Sequence, residues 1–291
     1  MHIGLTYDLR SDYLTMGYSE EETAEFDSLR TVEAIAESVL AAGHNPLPIG
    51  NIHALTSRLA SGERWDLVFN IAEGMYGFAR EAQVPALLEA FGIPYTFSDP
   101  LTLAVCLHKA TSKRLLKSFG VPTPDFVLLE AAEACRNCSL TYPLFAKPVA
   151  EGTGKGITDH SVLHSPAELA DAVDRLLKKY NQPVLVEEFL PGREYTVGII
   201  GTGTGARAIG TLEIKIRTAS GAADGLYSYA TKELCEQLVD YSLVRDGRAV
   251  LAGELALRAW NALGCRDAGR VDIREDRSGR MQVLELNPLA G

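Results

Sequence analysis

The spacing of apolar residues changes period several times along the chain. Residues 3–6 and 65–69 are short apolar runs that read as strands. Between them Leu29, Val32, Ala36, Val39 and Leu40 recur at helical spacing; Asp27 or Ser28 can cap this helix and Gly43 can end it. A loop through Glu73-Gly74 leads to a helix over 85–91. Strand alternating with helix predicts a parallel α/β layer over 1–100. A helix over 101–119, ended by Gly120 with Pro122 and Pro124 beyond it, leads into a second part. Strands are then expected at 126–129, 144–149, 184–187 and 195–200, with a helix over 166–180. A last helix over 251–263 precedes strands at 270–274 and 281–287. The change of pattern predicts α+β organisation, divided into segments 101–183 and 184–291. No internal repeat is present.

Composition narrows the class. With 291 residues, 46% hydrophobic and 23% charged, the chain has the make-up of a globular protein of two or three domains. The formal net charge of −10 repels polyphosphate backbones, and no Lys/Arg run overrides it, so nucleic acid is not an expected partner. The N-terminus lacks the basic and apolar regions of a leader, and no apolar stretch approaches the ~18 residues of a spanning helix, so a cytoplasmic protein with no membrane partner is expected. Five scattered cysteines fit reduced thiols. Cys135-Arg136-Asn137-Cys138 is a lone C-x-x-C with no second pair, and free thiols near a loop are its preferred reading.

The final hairpin carries the most chemistry. Between its strands lies the polar stretch Glu275-Asp276-Arg277-Ser278-Gly279-Arg280, suited to a tight turn. A turn centred on Ser278-Gly279 pairs Asp272 with Glu285 and Arg270 with Asn287 on one face. The same register sets Val271 opposite Leu286 and Ile273 opposite Leu284 on the other, apolar face. Two carboxylates opposed at about 5 Å repel, which points to a cation between them. Magnesium suits two carboxylates and an amide oxygen. A solvated strand face of alternating charge is the competing reading.

Lys147 ends the strand over 144–149 and is followed by Glu151-Gly152-Thr153-Gly154-Lys155-Gly156, whose glycines free the backbone to present N–H groups to phosphate. The loop is neither a P-loop nor a dinucleotide fingerprint, and on its own a flexible hairpin is its preferred reading. Gly201-Thr202-Gly203-Thr204-Gly205 is a hairpin turn with no lysine. The linker through Glu187, Glu188, Phe189 and Leu190 has backbone groups, carboxylates and an apolar wall with which to hold a flat base.

In this order the segments resemble the ATP-grasp superfamily and, within it, the D-alanine:D-alanine ligases. The most specific stretch runs from Ala259-Trp260-Asn261-Ala262-Leu263-Gly264-Cys265 through Gly269-Arg270-Val271-Asp272 to Leu284-Glu285-Leu286-Asn287-Pro288. Supporting matches are His108-Lys109 with Lys113, Lys147-Pro148 with Glu151-Gly152-Thr153, Val186-Glu187 with Gly192 and Glu194, and Tyr227-Ser228-Tyr229-Ala230-Thr231-Lys232. The resemblance implies an ATP-grasp fold behind an N-terminal Rossmann-like part. It implies a reaction in which one amino acid carboxylate takes the γ-phosphoryl group of ATP and the amine of a second attacks the acyl phosphate. ATP is then a co-substrate, with magnesium or manganese as two ions.

Carried over by position, Lys109 and Lys147 grip phosphates with the loop of Gly152 and Gly154. Glu187, Phe189 and Leu190 meet adenine, and Glu194 the ribose. Asp272, Glu285 and Asn287 hold the metal. Arg270 and the N–H of Gly291 stabilise the oxyanion, and Lys232 sits near the transferred phosphate. The partners implied are amino acids and ATP, and the resemblance admits a homodimer.

The sequence departs from the family pattern near the amino acid sites. Glu73 stands where a histidine is usual, Glu233 where a tyrosine follows the loop lysine, and Thr153 where a serine follows Glu-Gly. Asp27 takes the place of a glutamate that recognises an ammonium. Family members continue past Leu289-Ala290-Gly291, which leaves acceptor specificity open. A ligase for other amino or hydroxy acids, and a nucleotide-binding module without ligase activity, are the alternatives.

Overall fold

The computed structural model describes residues 1–216 and 239–289. The chain divides into two compact units, one of residues 1–105, 265–268 and 288–291, the other of residues 106–264 and 269–287.

The first unit is built on a parallel sheet of β1 (His2–Thr6), β2 (Asn45–Gly50) and β3 (Leu67–Asn70), in the order β2-β1-β3. Ile3 to Thr6 are all buried, as expected of a central parallel strand covered on both faces. Its helices are α1 (Arg10–Thr15), α2 (Leu29–Ala41), α3 (Ile52–Ala60) and α4 (Gln83–Ala90). Ser28 rather than Asp27 caps α2, its Oγ accepting from Thr31 N at 3.2 Å. The sequence reading passed over β2, whose Pro46 and Pro48 argue against a strand; at a sheet edge their missing N–H groups cost no ladder bond. Leu55, Leu59, Val68 and Leu88 form the centre of this unit's core.

The helix expected over 101–119 is two helices, α5 (Pro100–Leu107) and α6 (Lys109–Ser118). At His108 the backbone turns to φ −85°, ψ 87°, and the imidazole Nδ1 accepts from Thr111 N at 3.3 Å, capping α6. Lys109 N, freed from the helix ladder, donates to Val149 O at 3.0 Å. No glycine or proline marks this break in the sequence.

Two antiparallel sheets make up the rest of the second unit. The four-stranded sheet has β4 (Phe126–Leu129), β5 (Leu144–Pro148), β6 (Val162–Leu163) and β7 (Val184–Glu188) in the order β4-β7-β5-β6. Helix α7 (Pro166–Tyr180), capped by Ser165 and ended by Asn181 in the left-handed conformation, packs Leu169, Val173 and Leu176 against it. The five-stranded sheet has β8 (Glu194–Ile200), β9 (Arg207–Ile216), β10 (Val239–Val244), β11 (Ala268–Glu275) and β12 (Met281–Asn287) in the order β10-β9-β8-β11-β12. Helix α8 (Gly247–Ala262) follows β10 and brings the fully buried Trp260 against the backbone, where its indole N–H donates to Gly201 O at 3.1 Å.

The hairpin register holds where it matters chemically. Arg270 pairs with Asn287, Val271 with Leu286 and Asp272 with Glu285. Toward the turn the expectation fails by one residue: Ile273 pairs with Val283, not Leu284, because a bulge lies between Asp272 and Ile273. The bulge lets both Val283 and Leu286 reach the core.

Candidate functional site

The second unit gathers charged residues from α6, β5, β7, β8, β11 and β12. On the face shared by β11 and β12, Asp272 Oδ1 accepts from Thr196 Oγ1 of β8 at 2.6 Å and its Oδ2 from Asn287 Nδ2 at 3.0 Å. Arg270 Nε stands 3.2 Å from Asp272 Oδ1, and Lys109 Nζ, from the first turn of α6, stands 3.3 Å from Glu285 Oε2. The mutual repulsion of the two carboxylates is therefore relieved in part by protein cations. Burial raises the pKa of the Glu285 carboxyl, but Lys109, Lys147 and Arg270 outweigh it and hold it below its ordinary value.

Gly269 explains how close this hairpin lies to its cover. A Cβ there would fall 2.5 Å from Asn287 O and 2.7 Å from the Trp260 ring, so only glycine fits.

A second cluster lies between the sheet β4-β7-β5-β6 and α6. Glu187, 2% exposed, receives Lys147 on Oε1 at 2.8 Å and Lys113 on Oε2 at 2.9 Å. Burial pushes the Glu187 carboxyl up, yet the two ammonium groups overcome it and hold it at about 2. Burial pulls Lys113 down to about 8 against the pull of Glu187, whereas for Lys147 the neighbouring carboxylates of Glu187 and Glu285 overcome burial and raise it. Lys113 also donates to Thr123 Oγ1 at 2.9 Å, and that hydroxyl donates to Val283 O of β12 at 2.8 Å.

The glycine-rich loop is tied to α6: Lys109 Nζ donates to Glu151 O at 2.6 Å, and Glu151 pairs with Lys155 at 2.6 Å. Gly154 has a φ of +72°, and Gly156, with a φ of +79°, lies where a Cβ would meet the Pro148 ring at 2.6 Å. Thr153 adopts φ +52°, a conformation that strains a β-branched residue, and its buried Oγ1 has no hydrogen-bond partner. Gly152 O accepts from Lys155 N.

Leu190 is 5% exposed and Phe189 lies under the Arg274 guanidinium, 5.6 Å from its ring centroid. Arg274 Nη1 also pairs with Glu194 Oε2 at 3.1 Å. Burial raises the pKa of Glu194 in spite of that pair.

Asp27 and Glu73 belong to the first unit. Glu73 is raised well above the carboxylate range by burial and by Glu81 and Glu25, with Arg80 opposing. Arg80 pairs with Glu25 at 3.0 Å. Asp27 is pushed up to about 6 by burial and by Asp8, which itself accepts from Tyr13 Oη and Gly74 N. Lys232, Glu233 and Gly291, with the stretch 227–232, lie outside the described residues.

Sequence reasoning named Lys109, Lys147, Glu187, Glu194, Asp272, Glu285 and Asn287, and did not assign Lys113, Thr196, Arg274, Glu25 or Arg80. Two signals were available: Lys113 follows Lys109 by four residues, one helical turn, and Thr196 follows Glu194 by two, the period of one strand face.

Among the described residues no three His, Cys, Asp or Glu side chains converge as a ready metal cluster. The hairpin set is instead two carboxylates and an amide, all oxygen donors, which suits a hard divalent ion that keeps water and phosphate in its remaining positions.

Residues 115–291 match the family model described as D-ala D-ala ligase C-terminus. The chain is 31% identical over 273 residues to D-alanine–D-alanine ligase B of Xanthomonas campestris pv. campestris, covering 91% of this chain and 80% of that one. It is 34% identical over 273 residues to the D-alanine–D-alanine ligase of Bordetella pertussis, covering 91% and 81%. An uncharacterised protein of Sinorhizobium fredii, y4sG, is 34% identical over 230 residues, covering 77% of this chain and only 66% of its own length. Among solved structures, the VanG D-Ala:D-Ser ligase of Enterococcus faecalis superposes with a TM-score of 0.73 at 23% identity, covering 100% of this chain and 90% of that one. The D-alanine–D-alanine ligase of Bacillus anthracis, solved as a complex with ATP, superposes with a TM-score of 0.67 at 20% identity, covering 100% and 87%. These likenesses bear out the ATP-grasp fold. No described helix is long and apolar enough to cross a membrane.

Proposed function

The chain belongs to the D-alanine–D-alanine ligase family, and on that premise we propose that this ATP-dependent ligase joins two molecules of D-alanine through an acyl phosphate. The observation that carries the reading is the meeting of Lys109 with Glu285, beside Asp272 and Asn287, at the foot of the glycine-rich loop.

In this reading Lys109 and Lys147 hold the nucleotide phosphates, with backbone N–H groups around Gly152 and Gly154. Glu187 and Leu190 meet the adenine, Phe189 walls it, and Glu194 takes the ribose. Asp272, Glu285 and Asn287 would hold magnesium or manganese, as two ions, and the metal when bound neutralises phosphate charge. Lys109 and Arg270, which balance the carboxylates, are well placed to turn toward phosphate and the oxyanion. Lys232 and the N–H of Gly291 complete the charge stabilisation. Thr153 counts with Arg270 and Lys232 among the catalytic residues, Asp27, Glu73 and Glu233 would bind amino acid substrate, and the chain is taken to divide at 1–100, 101–183 and 184–291. The chemistry is positioning and charge neutralisation, which phosphoryl and acyl transfer chiefly require. We also place the enzyme in the cytoplasm, in peptidoglycan synthesis, as a homodimer with no nucleic-acid partner.

Phosphate release from ATP and magnesium, screened over a panel of amino and hydroxy acids, tests this reading. Turnover with D-alanine as donor and acceptor is expected; a response confined to other acids would transfer the enzyme to the second class of ligase, and ATP binding with no turnover would leave a nucleotide-binding module. In the same assay Glu285→Gln is expected to lower turnover by about a hundredfold or more while shifting stability by under about 1 kcal/mol. Equal losses would make Glu285 a structural residue.

A further inference from the structure

Glu187 has two buried ammonium partners, and they are held unequally. Lys113 is wholly buried and fixed at its far side as well: its Nζ donates to Thr123 Oγ1, which donates to Val283 O, so the ammonium is tied to β12 through a side chain. Lys147 is 8% exposed; besides Glu187 it has the Phe145 ring, 5.7 Å away, and the attraction of Glu285, and among the described residues no hydrogen bond to a second element holds its ammonium. One carboxylate shared by a tethered and an untethered cation is poised for one of them to leave.

We propose that Lys113 is a positioning residue, the resident counter-ion of Glu187 that frees Lys147 to swing to a nucleotide phosphate without stranding a buried carboxylate. The proposal rests on the reading of Lys147 as a phosphate ligand. A carboxylate in this position keeps its charge only while a cation stays beside it, because burial penalises an unpaired ion heavily. With Lys147 as sole partner, contact with phosphate would have to be taken at the expense of Glu187, and the two demands would oppose each other. Lys113 removes the conflict. It lies one helical turn beyond Lys109, so α6 delivers two ammonium groups on one face: Lys109 toward Glu285 and the glycine-rich loop, Lys113 toward the base of the site. The same inference explains why a lysine stands where nothing outside the protein can touch it.

The test is the affinity that phosphates add, measured by calorimetric titration of the full-length protein with magnesium-ATP and, in competition, with adenosine. Damage to the base pocket weakens both ligands together and leaves their ratio unchanged; loss of the counter-ion holds Lys147 on Glu187 and lowers the ratio. Lys113→Met is expected to reduce the ATP-to-adenosine ratio by about tenfold, the size of one charge-assisted contact, whereas Lys113→Arg keeps most of it. Lys147→Met serves as the reference. If it lowers the ratio and Lys113→Met does not, the counter-ion role is overturned and the phosphate reading stands. If Lys147→Met itself leaves the ratio unchanged, the phosphate reading fails and takes the proposal with it. Should Lys113→Met not fold, Thr123→Val decides: a ratio lowered by about twofold or more supports the tether, and an unchanged ratio refutes it.

Discussion

Replacing Glu187 by glutamine preserves the shape of the side chain and removes its charge, which isolates the electrostatic part of the cluster between α6 and β7. In the folded protein the two lysines overcome burial and hold the carboxyl at about 2, against an ordinary value of 4.5. At roughly 1.4 kcal/mol per pH unit that difference corresponds to about 3 kcal/mol of stability at neutral pH. The sign follows from the direction. A carboxyl with a depressed pKa binds fewer protons folded than unfolded, so its contribution is complete above 4.5 and is lost as the pH falls toward 2. Urea unfolding of wild type and variant, run in steps from pH 8 to pH 3, should show a gap of about 3 kcal/mol at pH 7 that shrinks to roughly half by pH 3. A gap of constant size would refute the reasoning, since it would mean that glutamine costs stability through packing or hydrogen bonding and that the ion pairs contribute nothing.

Two other substitutions test the strained and buried groups. Asp27, pushed up to about 6, is a carboxyl whose ionisation the fold resists, so it subtracts stability as the pH rises from its ordinary 3.8 through 6. Asp27→Asn should raise the stability of its unit by about 1–2 kcal/mol at pH 7.5 and by nothing below pH 4, the full linkage being reduced by partial solvent exposure; thermal melts at the two pH values decide, and equal shifts at both would exclude the titration. Thr153→Gly relieves a β-branched residue at φ +52° and removes a buried hydroxyl without a partner, so it should stabilise by about 1 kcal/mol while lowering turnover. A destabilised variant in the same unfolding assay would show that the loop is unstrained.

Much of the second unit was legible because its signals are local. A helix is expected over 166–180, and α7 occupies that span. The Asp272–Glu285 and Arg270–Asn287 pairs followed from a turn and the two-residue period of strands. What escaped was decided by distant parts of the chain. Pro46 and Pro48 look like strand breakers until the sheet order places them at an edge. His108 does not look like a helix break, because the bond that rewards the break goes to Val149. Arg80 and Glu25 lie 55 residues apart, and Lys113 and Glu187 further still, so no spacing rule could pair them. The D-alanine ligase reading of the carboxylates came from resemblance, as did the roles of Lys109 and Arg270; that these two cations pair with Glu285 and Asp272 came from the fold.

The bulge in the last hairpin separates two properties that a regular ladder would lock together. Leu284 is the surplus residue, since Ile273 faces Val283 and Asp272 already faces Glu285. Taking it out would leave both of those partnerships intact and only straighten β12. Its presence therefore governs heading rather than address: which residues meet is written in the pairing, and where their carboxylates point is set by the extra twist that a bulge imparts. A hairpin built this way can re-aim its charged ends by gaining or losing one residue, with the partners themselves unchanged.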